Sequence, residues 1–202
     1  MKITVFGSTG STGRLLLEEG VRRGHAMTAF ARQASALEGS LGLDSIVEGD
    51  ARDPGAAAQA IEGRDAVIVT VAGRGQPDVA TAIARTVIAC MLAADVRRLV
   101  TTSSYAMVAT RPYVLAPLVR RIFVKAFVNQ RGADEVIAGS ELDWTIARAT
   151  RLVDSTPRQA ARQSTELFTK GPWSLSRAAY AAQLLDLTEA NHHIREIINT
   201  TG

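Results

Sequence analysis

The chain has a single cysteine among its 202 residues, Cys90. No internal disulfide can form, and Cys90, set in an apolar helical stretch, reads as a buried structural thiol. A reducing compartment and a cytoplasmic location are the expectation. Long apolar runs are also missing. None approaches the ~20 residues of a membrane span. The first six residues already have a strand pattern, so neither a spanning helix nor a signal peptide is expected. Aromatic residues are only 5% of the chain and no base-reading motif occurs, which argues against a nucleic-acid partner. His25, His192 and His193 fall into no metal-ligand spacing with carboxylates or the cysteine. No metal is expected, and all three read as surface residues. Acidic residues are absent between Asp95 and Asp134, a stretch that holds Arg97, Arg98, Arg111, Arg120, Arg121, Lys125 and Arg131. That composition reads either as a local positive field for an anionic ligand or as solvated arginines on helix faces.

What is present is an alternation. With 47% hydrophobic residues the chain can bury a full core, and we read residues 1–202 as one globular domain. β-prone runs at Ile3–Phe6, Met27–Ala31, Ser45–Glu48, Ala66–Val71, Leu99–Thr102, Trp144–Ala147 and Arg195–Asn199 are separated by helical stretches. This predicts an α/β fold, a doubly wound and mostly parallel sheet with helices on both faces. Gly24 and Gly63 read as helix stops, and Asp53 before Pro54 as an N-cap. Pro77 to Ala94 reads as a helix whose apolar stripe is Ala80, Ile83, Val87 and Met91. Ser176 to Glu189 holds another. Two irregular segments, Ser104 to Pro117 and Thr150 to Trp173, follow strands and so leave from the carboxyl edge of the sheet, where such folds bind ligands. Residues 104–131 and 150–175 are expected to form the substrate side.

The most informative segment is Gly7-Ser8-Thr9-Gly10-Ser11-Thr12-Gly13, between the first strand and the first helix. One glycine permits a positive φ, a second lets the backbone approach a pyrophosphate, and a third lets the helix pack close to the sheet. Free N–H groups at the helix start then face the phosphates. Gly13 is followed by Arg14 and Leu15, not by the lysine and hydroxyl of an NTPase loop. The second strand ends in Arg32, where an NAD site has an acid. A guanidinium there, helped by a loop hydroxyl such as Ser8 or Thr9, suits a 2′-phosphate, so NADP is expected over NAD. Asp50, at the end of the third strand beside Ala51, is placed to accept from an adenine amino group. Ala72 and Gly73, after the fourth strand, are small enough to let the backbone reach the cofactor.

Taken with Gly49-Asp50-Ala51-Arg52-Asp53, Thr101-Thr102-Ser103-Ser104, the run from Gly139 to Arg148, and Ser174-Leu175-Ser176-Arg177-Ala178, this turn resembles the atypical short-chain dehydrogenase/reductases. The likeness is to their NAD(P)H-binding group, which includes NmrA-like proteins and flavin reductases of the biliverdin reductase B kind. It implies a Rossmann-type fold and a cofactor site on the residues above. It also implies that Ser104 lies by the nicotinamide and substrate. The sequence departs from the wider family in having no tyrosine–lysine pair four residues apart. The region before Asp134-Glu135 reads Asn129-Gln130-Arg131, where the group often has a lysine.

Ser103, Ser104 and Tyr105 emerge near the expected nicotinamide position. Ser103 is a candidate for the carboxamide, and Ser104 and Tyr105 are candidates for catalysis. The alternatives are that the serines cap a turn and that Tyr105 packs in the loop. Val114 to Val128, apolar and basic, reads as a helix beside the site, a dimer face or a membrane-surface contact. Three functions fit: an NADPH-dependent reductase of a small flavin-, quinone- or tetrapyrrole-like substrate, a non-catalytic NAD(P) sensor, or an NAD-holding epimerase. A monomer or a homodimer is expected.

Overall fold

The computed structural model describes residues 1–202 apart from 38, 40–41, 72–77, 111–114, 156–160, 169–170 and 191, with the side chains at 115–117 and 120 also outside the description. The first half alternates β1 (Lys2–Phe6), α1 (Ser11–Arg22), β2 (Ala26–Ala31), β3 (Ser45–Glu48), α2 (Pro54–Ile61), β4 (Ala66–Val69) and α3 (Val79–Ala93). The second half comprises β5 (Arg98–Ser104), α4 (Leu115–Ile122), α5 (Val124–Ala138), β6 (Asp143–Ala149), β7 (Arg151–Val153), β8 (Arg162–Ser164), β9 (Ser174–Ser176), α6 (Arg177–Glu189) and β10 (Glu196–Thr201). Eight strands form one sheet in the order β3-β2-β1-β4-β5-β6-β10-β8. Every described pairing in it is parallel except β10 with β8. β7 and β9 make a separate two-stranded parallel ladder. The expected α/β doubly wound sheet is therefore what the chain forms.

Strand pleating sends alternate residues to opposite faces, and each face has its own core. Val67 joins Val87, Met91, Leu99 and Ile137 on the side of α2, α3 and α5. Its neighbour Ile68 joins Val5, Leu16, Leu184 and Ile198 on the side of α1 and α6. β4 is thus buried on both faces, and its Ala-Val-Ile-Val run needs no polar alternation. The stripe read on α3 is real: Ala80, Ile83, Val87 and Met91 are all buried. Small residues set the layer spacing. A Cβ on Gly20 would lie 2.4 Å from the Met27 sulfur, so with any larger residue there the Met27 side chain would have to move.

The helix punctuation holds. Gly24 and Gly63 have φ of +81° and +68° and end their helices. Asp53 caps α2, its Oδ1 accepting from the Gly55 N–H at 2.9 Å. Asp53→Ala should lower stability by about 1 kcal/mol, the usual value of such a cap. Urea unfolding monitored by circular dichroism checks this, and an unchanged midpoint would contradict the cap.

Three readings are corrected. The segment from Thr150 to Trp173 is not wholly irregular, because β7 and β8 lie within it. Strands of three residues, such as Arg162-Gln163-Ser164, are too short to show a hydrophobic period. His25 is half-buried and not a freely exposed side chain: it is 11% exposed and Nε2 sits 2.7 Å from Glu189 Oε1. Arg98 does not contribute to a positive field at the carboxyl edge of the sheet. Arg98 opens β5 at the amino edge, away from the glycine turn, and is buried there. It donates to the carbonyls of Asp143 (2.8 Å) and Leu187. Cys90 is buried as expected, and burial pushes its thiol pKa up.

Candidate functional site

The strand order reverses between β1 and β4, and a cleft of about 210 Å³ opens above that point. Its floor is the glycine turn, through Gly7, Thr9 and Gly10. One wall is the end of β2, with Phe30, Ala31 and Arg32, and the loop after β3, with Asp50, Ala51 and Arg52. Thr70 and Val71, after β4, and Val79 and Ile83 of α3 close the other side.

The three glycines have separate reasons. Gly7 has φ +85°, and a Cβ on it would meet Thr70 Oγ1 at 2.6 Å. Gly10 precedes α1 as its N-cap with no side-chain cap bond, so the first N–H groups of the helix are left for another acceptor. A Cβ on Gly13 would lie 2.3 Å from the Gly7 carbonyl oxygen, so only glycine lets α1 press against the turn. Ser11 and Thr12 form the first turn of α1. This cradle, lined by backbone and open where Gly10 sits, fits a dinucleotide pyrophosphate.

The side chains refine the expectations. Ser8 is fully buried and its hydroxyl donates to the Phe30 carbonyl at 2.7 Å. It ties the turn to β2 and does not offer its hydroxyl to a phosphate, which corrects that part of the reading. Thr9 does line the cleft, and Arg32 is exposed at its edge. Asp50 is gripped by Arg52, whose Nε and terminal nitrogen donate to Oδ1 at 3.0 Å and Oδ2 at 2.6 Å. The Arg52 fork, with a contribution from the charge of Arg32, holds the Asp50 carboxyl down at about 2. An adenine amino group would have to share that carboxylate with Arg52, a residue the sequence reading placed in a motif without assigning it to the site. Ala51 is buried under this loop. Ala72 and Gly73 lie outside the described residues.

At the end of β5 the three candidates part ways. Ser104 ends the strand half-buried, before a short 3₁₀ turn at Tyr105–Met107. Tyr105 is 2% exposed, its hydroxyl donating to the Phe168 carbonyl at 3.2 Å and its ring near Phe168 and Trp173. Burial pushes its pKa up. A proton donor with a lowered pKa is the opposite of this, so the packing alternative is the one the structure favours.

Ser103 points to the α5 side of the sheet, where its hydroxyl donates to Asp134 Oδ2 at 2.7 Å. Gln130 donates to Asp134 Oδ1 at 3.1 Å and to the Thr102 carbonyl at 3.2 Å. A terminal nitrogen of Arg148 lies 3.6 Å from Asp134 Oδ2, with the two side chains 18% and 6% exposed. Burial pushes the Asp134 carboxyl up, against the lowering from Ser103, Gln130 and Arg148. The network locks α5 to the ends of β5 and β6. Its members were visible as motif letters, but nothing in their spacing said that they meet.

The profile of an NAD(P)H-binding domain matches residues 7–191, spanning the turn, the cleft and this network. The chain belongs to that NAD(P)H-binding family. Solved structures similar along the whole chain include a wide-type short-chain dehydrogenase/reductase from Veillonella parvula in complex with NADP. It is 18% identical, with 100% of this chain and 94% of that one covered and a TM-score of 0.85. The oxidoreductase ylbE from Lactococcus lactis is 21% identical over 100% and 91% of the two chains, TM-score 0.84. ChuY, an anaerobillin reductase from Escherichia coli O157:H7, is 21% identical over 100% and 97%, TM-score 0.83. At these identities the likeness is one of fold. The glycine turn of this NAD(P)H-binding chain lies at the β1–β4 reversal, the place where open α/β sheets bind their ligands.

Proposed function

We propose that this protein is an NADPH-dependent reductase that transfers hydride to a small planar or carbonyl-bearing molecule of the flavin, quinone or tetrapyrrole kind. One observation carries the choice of phosphorylated cofactor. Among the described residues that line the cleft are two guanidinium groups, Arg32 and Arg52, and one acid, Asp50, which is already engaged by Arg52. An NAD site needs a free carboxylate for the ribose hydroxyls, whereas a 2′-phosphate needs a free cation. The NADP complex of the Veillonella protein is consistent with this.

When bound, NADPH supplies the hydride. The residues of this chain bind, orient and exclude water. The turn N–H groups take the pyrophosphate, Arg32 takes the 2′-phosphate, and Ser104 offers a hydroxyl at the strand end beside the nicotinamide. Chemistry of this kind needs orientation and a dry site more than a dedicated acid. The substrate side is assigned to residues 104–131 and 150–175. The burial of Tyr105 favours one other reading, a non-catalytic NAD(P)-sensing regulator, because it removes the obvious proton donor.

NADPH oxidation over a panel of flavins, quinones and tetrapyrroles separates the two. Turnover supports the reductase, and tight NADPH binding without turnover on any of them supports the sensor. Arg32→Ala should weaken NADP by about 1–3 kcal/mol, the worth of a charge-assisted contact, and leave NAD nearly unchanged. Equal losses for both cofactors in fluorescence titrations would sink the 2′-phosphate assignment.

A further inference from the structure

Among the described residues, eight large hydrophobic side chains stand exposed, and five of them, Leu118, Ile122, Phe123, Val124 and Val128, fall within residues 118–128 across the α4–α5 junction. They are between 52% and 66% exposed. Water-facing apolar side chains gathered at this density mark a surface that meets something else. Helical spacing orders them. Leu118 and Ile122, four apart on α4, share a stripe, as do Val124 and Val128 on α5.

The charges around them are of one sign. Arg121 follows Leu118 by three residues, Lys125 falls between Val124 and Val128, and Arg131 follows Val128 by three. All three cations are exposed. No acid occurs in the sequence from residue 96 to 133. Glu135, one turn beyond Arg131, is the first exposed acid on that stripe. Apolar residues interleaved with exposed cations are what an anionic bilayer surface accepts, the rings and aliphatic chains entering the acyl boundary while the cations meet lipid phosphates. A second copy suits the face poorly, because a two-fold contact would bring together two faces whose exposed charges are all positive. No described helix is long and apolar enough to cross a membrane, so this face would lie on a bilayer and not span it.

We propose that the α4–α5 face is a docking surface for anionic membranes. The proposal stands on this face alone and not on the cofactor reading. The test is co-sedimentation of the full chain with vesicles of phosphatidylcholine alone and with vesicles containing about one-third phosphatidylglycerol. Binding is expected only to the second, and it should fall as salt rises. Ile122→Glu and Val128→Glu should each reduce it by about tenfold or more. Arg121→Ala and Lys125→Ala should each reduce it by about fivefold. Leu92→Glu, exposed on α3, should leave it unchanged, and circular dichroism melting of each variant confirms folding. Failure to bind anionic vesicles, or equal binding by the folded variants, overturns the proposal. So does a dimer, seen by sedimentation velocity, that Ile122→Glu dissolves while vesicles are ignored, since a second copy would then occupy the face.

Discussion

Gly13→Ala is expected to lower stability by about 1–3 kcal/mol and to remove most nucleotide affinity. A single methyl group has this effect because of what it meets. The new Cβ would lie 2.3 Å from the Gly7 oxygen, 2.9 Å from Ser8 Cα and 3.0 Å from the Gly7 carbonyl carbon. These are backbone atoms of the turn, and no rotamer change moves them aside. Either α1 lifts from the sheet, losing packing around Leu16 and Leu17, or the turn opens. Opening is resisted by Ser8, which is tied to Phe30, and by Thr70, whose hydroxyl donates to the Phe6 and Gly7 carbonyls at 3.1 and 3.2 Å. Both responses displace the N–H groups that the pyrophosphate needs. Gly10→Ala is the matched control. Its Cβ would meet only the Gly7 oxygen, at 3.3 Å, so the loss of stability should be smaller than at Gly13. The methyl would nevertheless stand in the cleft and weaken binding. Urea unfolding and NADPH fluorescence titration of both variants measure the contrast. A Gly13→Ala protein with wild-type midpoint and affinity would show that the helix does not rest on the turn.

Arg148→Met is expected to cost about 3 kcal/mol at neutral pH, the lower end of the range for stripping one partner from a buried ion pair. The lower end applies because Ser103 and Gln130 still donate to Asp134 after the change. The penalty should also depend on pH, with a definite sign. Burial holds the Asp134 pKa above its ordinary value in the folded protein. Between the unfolded and folded values the native state therefore binds more protons than the unfolded chain, and stability falls as pH rises through that window. Removing the cation raises the folded value further and extends the window upward. The deficit of Arg148→Met should accordingly be smaller at about pH 5 than at about pH 8. Asp134→Leu combined with Arg148→Met should recover part of the loss, because no unpaired charge is then left inside. Urea midpoints of both variants at the two pH values decide it. A deficit independent of pH, with no recovery in the double variant, would mean that the pair is not electrostatically coupled.

The sheet was readable because its signals are local. Each of the seven expected strands lies on an observed one, since Val67-Ile68-Val69 and its counterparts are short apolar runs bounded by turn residues. The end of the segment at 66–71 was read two residues long, because valine at 71 continues the pattern after pairing stops at Val69. β7, β8 and β9 carry no such signal, because strands of three residues are too short to show a period. α5 was read only in part, as the end of the apolar stretch 114–128. Its remainder, 129–138, buries Asn129, Gln130 and Asp134, polar side chains that look in sequence like a solvated face.

The sequence by itself determined the class of fold and marked the glycine turn. Strand, glycine turn and helix are contiguous in the chain and can be recognised without neighbours; the clash that requires glycine at 13 is with the turn itself, whereas that at 7 is with Thr70, just after β4. Only the tertiary structure decided what the polar side chains do. Ser8 faces β2, Arg52 holds Asp50, Tyr105 is buried under Phe168, and Ser103 is bound to Asp134 on a helix 31 residues further along the chain. A hydroxyl or carboxylate has the same letter whether it meets a ligand, water or another side chain. Which of these it meets depends on burial and on partners brought close by the sheet order, and that information is not carried at any one position.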